Sequence, residues 1–255
     1  SGRVVELFFV DAKFEGKIVV SERLKKFLQE KKPQTIALFA AVQFSALDDF
    51  IFALETLKIK VLTTKAKRTA RPLQILGCDC YSDSFQEDII DKCDMIVYVG
   101  DGLFHPKALL LAQIGKKKNK MKEKVKPVVL FDPLSDSVKE INYKDIEKQL
   151  LKAKANVKKY MHAERVGILV TIKPGQQYLH SAKKLKEQLA AEGKKGYIFI
   201  DNTFDLGALE NYPFIQCWVN TACPRIGTDD IVNINKPMIN ILEAFDPIKA
   251  LENFG

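Results

Sequence analysis

Residues 166–200 contain the pattern that decides the fold. The stretch Val166-Gly167-Ile168-Leu169-Val170 is a short apolar run, and the polar turn Lys173-Pro174-Gly175-Gln176 separates it from a predicted helix over residues 178–191. A second apolar run, Tyr197-Ile198-Phe199-Ile200, follows that helix. A strand, a helix and a strand in this order form a βαβ unit, in which the strands are parallel and the crossover is right-handed. The sequence therefore predicts an α/β domain here.

The same order of elements occurs earlier in the chain. Thr35-Ile36-Ala37-Leu38-Phe39-Ala40-Ala41 predicts a buried strand, Ser45 and Asp48 predict a capping box for the next helix, and a strand is expected at residues 59–62. Each unit then continues with two more apolar strands, which are residues 95–99 and 126–131 in the first unit and residues 214–219 and 236–241 in the second. We therefore predict an α/β fold of two similar three-layer domains with mainly parallel sheets.

Residues 1–32 fit neither unit. The run Arg3-Val4-Val5-Glu6-Leu7-Phe8-Phe9-Val10-Asp11 resembles the last strand of such a unit. We expect the chain to begin inside a third homologous domain, of which residues 1–32 are the final strand and a connecting helix. The predicted middle domain spans residues 33–163, and the predicted C-terminal domain spans residues 164–255.

The bulk composition is that of a globular protein. The chain has 255 residues, of which 47% are hydrophobic and 28% are charged, enough for one large domain or two ordinary ones. No apolar run approaches the roughly 20 residues of a membrane span and no signal peptide is recognisable, so we expect a soluble, cytoplasmic protein without a membrane partner. Five unevenly spaced cysteines do not indicate a disulfide framework, which leaves metal binding and reactive thiols open.

The formal net charge of +8 comes mostly from lysine, concentrated in residues 116–126 and 144–159. A dense basic run can dock an acidic partner or RNA. The aromatic residues that interleave with basic ones on a nucleic-acid platform are missing from this run. The pattern therefore favours a solvated surface loop, and we expect no direct contact with nucleic acid.

The residues with the most reactive chemistry lie where a predicted strand ends. Thr221-Ala222-Cys223-Pro224-Arg225-Ile226-Gly227-Thr228-Asp229-Asp230 follows the apolar strand at residues 214–219, and Pro224 prevents simple continuation of the strand. The carboxyl ends of the strands are where α/β sheets bind their ligands. Beside Arg225, Cys223 is either an exposed thiol with a lowered pKa or a small buried residue next to an arginine–aspartate pair that closes a turn. Both interpretations stay open at this point.

A second loop holds two more cysteines. Ile75-Leu76-Gly77-Cys78-Asp79-Cys80 follows a short apolar segment and precedes a predicted helix, capped near Asp83 or Ser84. The spacing of Cys78 and Cys80 by one residue is atypical for zinc sites, which prefer two to four residues between ligands. Alone, this pair is a weak metal signal.

Two further loops contain glycine and proline. In Gly100-Asp101-Gly102-Leu103-Phe104-His105-Pro106, the glycines allow a tight turn, and Pro106 suits the first position of a helix that His105 would cap. A lone histidine is more often structural than catalytic. In the turn at residues 173–176, Gly175 before a helix leaves free backbone N–H groups suited to a carboxylate or a phosphate.

Several common sites are missing from the sequence. There is no Gly-x-Gly-x-x-Gly, no Walker motif, no Ser-His-Asp arrangement and no His-Glu-x-x-His. Dinucleotide-binding, P-loop and hydrolase interpretations therefore lose support. An unrelated nucleotide-sugar or flavodoxin-like binding protein would share only the architecture.

Taken together and in this order, the loop motifs resemble the diphthamide synthase family, archaeal type. The motifs are Ile75-Leu76-Gly77-Cys78-Asp79, Gly102-Leu103-Phe104-His105-Pro106, Lys173-Pro174-Gly175-Gln176, and Thr221-Ala222-Cys223-Pro224-Arg225 with Asp229-Asp230. The resemblance covers nearly the whole chain and implies a non-classical radical transferase that uses S-adenosylmethionine and a 4Fe-4S cluster. It implies the first step of diphthamide formation, the transfer of a 3-amino-3-carboxypropyl group to a histidine of its protein partner, translation elongation factor two.

The resemblance also implies the metal ligands. In the family, three homologous domains each give one cysteine to the cluster, and Cys78 matches the ligand of the middle domain and Cys223 that of the last. The cysteine of the first domain has no counterpart here. Cys80, Cys93 and Cys217 match no family ligand, although Cys80 is a possible substitute for the missing one.

For S-adenosylmethionine, the expected binding residues lie in the same loops. Arg225 and the N–H groups at Gly175 are expected to hold its carboxylate. The other residues expected to bind the cofactor are Lys173, Gln176, His105 and Asp229, and no catalytic residue is identified. The family implies a homodimer. The alternative function is that of a non-catalytic partner or binding subunit of the same family.

Overall fold

The computed structural model describes residues 14–44, 46–114, 125–173 and 178–254. Several predictions fall outside these residues: the remnant strand at residues 3–11, the capping residue Ser45, the candidate ligands Gly175 and Gln176, and most of the lysine run at 116–126. Within the described part, the chain divides into two compact units. The first contains residues up to 79, 84–106 and 126–141, and the second contains residues 80–83 and 142 onward together with 107–114 and 125.

The first unit contains a five-stranded sheet in the order β2-β1-β3-β4-β5. Its strands are β1 Thr35–Ala40, β2 Lys60–Leu62, β3 Met95–Val99, β4 Val128–Asp132 and β5 Ser137–Ile141. The first four are parallel and β5 is antiparallel to β4. Strands β1 and β3 are buried along almost their whole length because they are apolar on both faces, as expected in the middle of a parallel sheet.

Helices of the first unit follow the sequence prediction except at their ends. Helix α1 spans Glu22–Lys31 and α2 spans Asp48–Thr56, with Phe50 and Leu54 buried on the expected face. The N-cap residue of α2 is Leu47, which makes no side-chain hydrogen bond to the helix, so the predicted capping box is wrong. Asp48 instead lies in the first turn, where a carboxylate interacts favourably with the positive end of the helix.

The predicted helix near Asp83 or Ser84 is also wrong. Residues 81–94 form turns and bends. The N–H of Lys67 donates to the carbonyl of Ser84 at 2.9 Å, and Ala66 and Phe85 form an antiparallel bridge. Because this pairing uses backbone groups that a helix needs, the segment does not form the predicted helix.

The second unit contains a four-stranded, fully parallel sheet in the order β7-β6-β8-β9. Its strands are β6 Arg165–Thr171, β7 Lys195–Asp201, β8 Cys217–Asn220 and β9 Met238–Asn240. Its helices are α4 Lys144–His162, α5 Leu179–Ala191, α6 Ile241–Phe245 and α7 Pro247–Asn253. Helix α3, Phe104–Leu111, starts with three residues of the first unit. Short 3-10 turns lie at Val42–Phe44, Gly207–Asn211 and Asp230–Asn233.

Side chains of the second sheet alternate between two buried faces. Val166 and Ile168 pack with Leu185 of α5 on one face, whereas Leu169 and Trp218 pack on the other. The structure thus confirms the α/β fold with mainly parallel sheets. Helix α4 groups with the second unit, whereas the sequence prediction ended the middle domain at residue 163; the predicted domain boundaries stay a prediction. Among the described residues, no helix is long and apolar enough to cross a membrane.

In each sheet, one side-chain oxygen accepts two backbone N–H groups at the start of the first strand. In the first unit, Asp94 Oδ2 accepts the N–H groups of Gln34 and Thr35 at 2.8 and 2.9 Å. In the second unit, Gln216 Oε1 accepts the N–H groups of Glu164 and Arg165 at 2.7 and 2.9 Å. Asp94 and Gln216 stand at the same place in the repeat, one residue before β3 and β8. We call this contact the strand clasp.

Candidate functional site

The loop with Cys223 lies at the carboxyl end of the second sheet, as predicted. Strand β8 ends at Asn220, whose side-chain amide donates to the carbonyl of Cys223 at 2.8 Å and accepts the N–H of Ala222 at 3.0 Å. Thr221 Oγ1 donates to the carbonyl of Leu169 in the neighbouring strand at 2.8 Å. These bonds fix the backbone around Cys223 and leave its thiol half-buried. The thiol is thus accessible enough to act as a ligand.

A second asparagine, Asn240 at the end of β9, holds the same loop. Its Oδ1 accepts the side-chain N–H of Asn220 at 2.8 Å, and its Nδ2 donates to the carbonyl of Pro224 at 2.9 Å. A Cβ atom at Gly227 would lie 2.1 Å from Asn240 Oδ1, so the close approach requires glycine there. Sequence reasoning missed Asn220 and Asn240. The available signal was a buried-strand pattern that ends in asparagine on two strands of one unit.

Arg225 and Asp229 form an ion pair within this loop. Arg225 Nε donates to Asp229 Oδ2 at 2.9 Å, and Nη2 contacts the same oxygen. The Arg225 side chain is only 3% exposed, whereas that of Asp229 is 26% exposed, so the arginine is buried and the carboxylate partly meets water. The backbone N–H of Asp229 also donates to the carbonyl of Arg225 at 2.7 Å. The structure therefore contains the arginine–aspartate pair that was one of the two predicted interpretations of this loop.

The carboxyl of Asp230 follows this pair. Burial raises its pKa above the usual range, and the negative charge of Asp229 raises it further, while Arg225 opposes both effects. The loop thus holds two neighbouring carboxyls in different environments. Asp229 is paired with the Arg225 guanidinium, whereas the main effect on Asp230 is burial.

Tyr81 and Cys80 belong to the same unit and lie near this loop. The side chain of Asn240 is close enough to the Tyr81 hydroxyl to lower the pKa of Tyr81 slightly. Burial of that hydroxyl raises the pKa of Tyr81 well above its usual value, and the nearby Glu243, Cys80 and Cys223 raise it further. Cys80 itself is 5% exposed. Neither Tyr81 nor Glu243 was singled out from the sequence, because the contacts are made between segments far apart in the chain.

In the first unit, Cys78 lies in a tight turn whose two ends, Leu76 and Asp79, are hydrogen-bonded to each other. The N–H of Leu76 donates to Asp79 Oδ2 at 2.8 Å, and the N–H of Asp79 donates to the carbonyl of Leu76 at 2.9 Å. Asp79 is 1% exposed, and its burial raises its pKa, although the Leu76 N–H and the charge of Arg68 oppose the shift. Cys78 is half-buried.

Helix α3 begins against this turn. A Cβ atom at Gly77 would lie 1.8 Å from the ring of Phe104, so the ring occupies the space that glycine leaves. His105 lies inside the first turn of α3, which begins at Phe104, so the prediction that His105 caps a helix starting at Pro106 is wrong. The His105 ring stacks on Tyr98, with ring centroids 5.9 Å apart.

Two of the remaining cysteines are core residues. Cys217 lies fully buried in β8, where burial raises its pKa far above that of a free thiol. Cys93 is buried and its Sγ donates to the carbonyl of Ile90 at 3.2 Å. Neither is suited to a metal, because the thiolate is the ligand form. In the described part of the chain, no three or more His, Cys, Asp or Glu side chains converge in a way that could hold a metal ion.

Lys173, the described residue of the third predicted loop, is exposed just after β6. Its N–H donates to Thr171 Oγ1 at 3.2 Å. It thus stands at the same edge of the sheet as the Cys223 loop. The structure brings together Cys223, Arg225 and Asp229 in one loop, and the roles of Lys173 and His105 stay predictions.

Comparison with known proteins identifies the family. The family model for diphthamide synthesis proteins matches residues 4–252. The 2-(3-amino-3-carboxypropyl)histidine synthase of Pyrococcus horikoshii is 31% identical over 172 residues, which are 68% of this chain and 44% of that protein. Subunit 1 of the same enzyme from Gibberella zeae is 25% identical over 248 residues, 97% of this chain and 50% of that protein.

A solved structure supports the same relationship. The crystal structure of Dph2 from Pyrococcus horikoshii with a 4Fe-4S cluster superposes with a TM-score of 0.70 at 26% identity, covering 92% of this chain and 63% of that one. The chain spans about half the length of the curated relatives it matches. Since the family model covers nearly all of the sequence, the resemblance is confirmed, and this chain belongs to the family of diphthamide synthesis proteins.

Proposed function

We propose that the protein is a 2-(3-amino-3-carboxypropyl)histidine synthase, a transferase that carries out the first step of diphthamide formation. It would move a 3-amino-3-carboxypropyl group from S-adenosylmethionine to a histidine of translation elongation factor two. The Gibberella zeae relative named for this activity matches 97% of this chain, which includes both sheets. The observation that carries the proposal is half-buried Cys223, which lies at the carboxyl end of β8 beside the ion pair of the buried Arg225 with Asp229.

The cysteines of this chain differ in how accessible they are to a 4Fe-4S cluster. Cys78 and Cys223 are half-buried and lie on loops, whereas Cys93 and Cys217 are buried in their cores. We assign Cys78 and Cys223 as cluster ligands, since accessible thiols ionise and bind iron more readily. When bound, a reduced 4Fe-4S cluster would supply the electron that cleaves a carbon–sulfur bond of S-adenosylmethionine. The convergence of these two thiols on one cluster stays a prediction.

The residues of the Cys223 loop would orient the cofactor. Because Arg225 directs its Nε and Nη2 at Asp229, we assign this pair a positioning role that keeps the Cys223 loop in one conformation. Lys173, at the same edge, is a cation for the carboxylate of S-adenosylmethionine. The proposal also includes cofactor-binding roles for Gly175, Gln176 and His105, because these residues belong to the motifs that resemble the family.

The proposal includes the partners and the location. The protein substrate is elongation factor two, and the reaction takes place in the cytoplasm, where translation occurs. The homodimer is part of the proposal because the family resemblance implies it. The alternative function is that of a non-catalytic partner or binding subunit of the same family.

Anaerobic reconstitution of the complete protein with iron and sulfide tests the proposal. We expect Cys78→Ala and Cys223→Ala to lose most of the bound iron and all transfer to elongation factor two, measured by metal analysis and by the mass of the modified factor. Cys217→Ala and Cys93→Ala are the matched controls and should keep both. Unchanged iron in all four variants would overturn the ligand assignment. Bound cluster without any transfer would identify the partner subunit instead.

A further inference from the structure

Strand β7 is an outer strand of the second sheet, and among the described residues it pairs on one side alone, with β6. It has seven residues, whereas the outer strands β2 and β9 have three each. Its pairing with β6 runs without a bulge from Lys195 to Asp201, and no proline interrupts it. Proteins usually protect an outer strand by short length, proline or a bulge, because an unpaired edge can bind another strand. Strand β7 has none of these three protections.

The register with β6 identifies the backbone groups at this edge. The N–H of Lys195 donates to the carbonyl of Glu164 at 2.7 Å, and the carbonyl of Asp201 accepts the N–H of Ile172 at 3.2 Å. Alternate residues of a strand direct their N–H and C=O groups to opposite sides, so the odd-numbered residues of β7 bond to β6. The residues that direct these groups away from β6 are therefore Gly196, Ile198 and Ile200.

The side chains along this edge are apolar and partly exposed. Ile198 packs on the face of the sheet that α5 covers, whereas Tyr197 and Phe199 pack on the other face. There the Tyr197 ring contacts Phe214, with centroids 5.3 Å apart, and the Phe199 ring contacts Tyr212 at 4.7 Å. Phe214 is 40% exposed and Tyr212 is 38% exposed. The edge thus combines unpaired backbone groups with apolar surface on both faces.

The sequence of β7 is complementary to itself in the antiparallel direction. When two copies of the strand are placed about a two-fold axis at Ile198, Lys195 of each copy lies opposite Asp201 of the other. Tyr197 of each copy then lies opposite Phe199 of the other, and the outward backbone groups of the two strands face each other. Opposite charges and aromatic pairs at directly opposed positions stabilise antiparallel strands. Lys195 and Asp201 are both exposed and available for such pairs.

We propose that two copies of the protein associate edge to edge through β7, in the antiparallel direction, so that two four-stranded sheets become one sheet of eight strands. The inference rests on the homodimer that belongs to the proposed function, and it adds where the two copies meet. A two-fold contact uses the same surface on both copies, which a self-complementary strand provides. The two Ile198 Cα atoms lie about 5.5 Å apart, the spacing of a hydrogen-bonded antiparallel pair.

Disulfide formation in the complete protein tests the position of the two-fold axis. Because about 5.5 Å between Cα atoms suits a disulfide, Ile198→Cys should link two copies under mild oxidation. Ile200→Cys is the matched control, since its two copies would lie four residues apart, on the order of 13 Å along the strand. Ile200 is 56% exposed and Ile198 is half-buried, so random collisions would favour the control. We expect the linked dimer in Ile198→Cys alone, measured by non-reducing electrophoresis and by the mass of the linked peptide.

Charge reversal tests the pairing of Lys195 with Asp201. Each of Lys195→Glu and Asp201→Lys places like charges opposite each other twice in the dimer, so the dissociation constant should rise about tenfold, about 1.4 kcal/mol, in sedimentation equilibrium. The double variant restores opposite charges and should return to within about threefold of wild type. Lys148→Glu, an exposed change in α4, is the matched control and should leave the dissociation constant unchanged.

The outcomes separate this contact from the proposed function. A dimer that forms no disulfide in Ile198→Cys, or that tolerates both single charge reversals, would overturn the β7 contact and leave the homodimer in place. A protein that stays monomeric at high concentration would overturn the contact and the homodimer together, and the edge would then be open to a strand of a different protein. Because no turnover is measured, a lack of transfer activity would count against the proposed function and not against the contact.

Discussion

The two units arrange their first four strands in the same parallel order, but they present their half-buried cysteines from different connections. Cys78 lies between β2 and β3, whereas Cys223 follows β8. In the first unit, the loop that corresponds to that of Cys223 follows β3 and leads to His105. Shared strand order therefore fixes where chemistry can be placed, at the carboxyl ends of the strands, without fixing which loop carries it.

The two loops also differ in how they are held. Within the Cys78 turn, the Asp79 carboxylate accepts the N–H of Leu76, three residues earlier in the chain, so this hydrogen bond is local. The Cys223 loop depends on Asn240, which comes from another strand, and on the Arg225–Asp229 pair. We therefore expect the hydrogen bonds of the Cys223 loop to respond to a distant substitution at Asn240 and those of the Cys78 turn to respond to substitution of Asp79.

The largest expected effect is that of breaking the ion pair. Arg225→Ala leaves Asp229 without its buried partner and should lower the free energy of unfolding by about 3 kcal/mol in urea denaturation. Arg225→Lys keeps the charge but loses the planar fork, so we expect a smaller loss of about 1 kcal/mol. Arg165→Ala, an exposed arginine at the start of β6, is the control. A loss in Arg225→Ala no greater than in the control would show that the pair contributes nothing to the loop.

The next contrast compares long-range with local closure. Asn240→Ala removes bonds to Asn220 and Pro224 and should cost about 2–3 kcal/mol, because buried groups lose their partners. Asp79→Ala should cost about 1 kcal/mol, since the lost hydrogen bond is offset by removal of a buried carboxyl. Alkylation followed by mass spectrometry should show Cys223 reacting faster in Asn240→Ala, with Cys78 unchanged, and the reverse in Asp79→Ala. Equal acceleration of both thiols in either variant would contradict the contrast.

The pH dependence of stability sharpens the same comparison, because the second unit holds the strongly shifted Glu243. Its pKa is about 7 in the folded protein and is raised by burial, so the folded state binds a proton more tightly than the unfolded chain. Its contribution favours folding at low pH and is lost as the pH rises from the unfolded value of about 4.3 through 7. Glu243→Gln should therefore stabilise the protein at pH 8 by on the order of 2 kcal/mol and hardly at all at pH 4.

Thermal unfolding of wild type and Glu243→Gln across this pH range checks the sign. The exposed variant Glu252→Gln serves as the reference, since it removes a carboxylate of the same unit without removing a buried one. Parallel curves for wild type and Glu243→Gln would mean that Glu243 does not titrate with a raised pKa.

Much of the scaffold was predictable because hydrophobic patterning is local. The strands β1, β3, β6 and β8 are short apolar runs, and their alternation with helices specifies a parallel sheet. The helix predicted after Cys80 failed because residues 84–86 pair with residues 65–67, a contact that no local pattern records. The predicted start of α3 was wrong for a similar reason. The helix starts at Phe104 and not at Pro106, and the Phe104 ring fills the space beside Gly77, which is distant in sequence.

The site was predictable only where its residues are close in sequence. The Arg225–Asp229 pair is an i to i+4 contact and was one of the two interpretations that the sequence allowed. Asn240, Tyr81 and Glu243 come from different segments, and nothing in each segment alone marks it as part of a site. Their role depends on the packing of α6 and residues 80–83 within the second unit.

The smallest effect concerns the strand clasp, where the two units are alike. Asp94→Ala and Gln216→Ala each expose two backbone N–H groups at the start of a strand to water, so each should lower the free energy of unfolding by about 1 kcal/mol. Asp94→Asn and Gln216→Glu keep an acceptor oxygen and are the matched controls, with losses expected below about 0.5 kcal/mol. Urea unfolding of the four variants measures these values. If the clasp is a repeated structural device, the two alanine variants should agree within about 0.5 kcal/mol; a loss confined to one of them would show that the units share strand order but not the contact that starts the sheet.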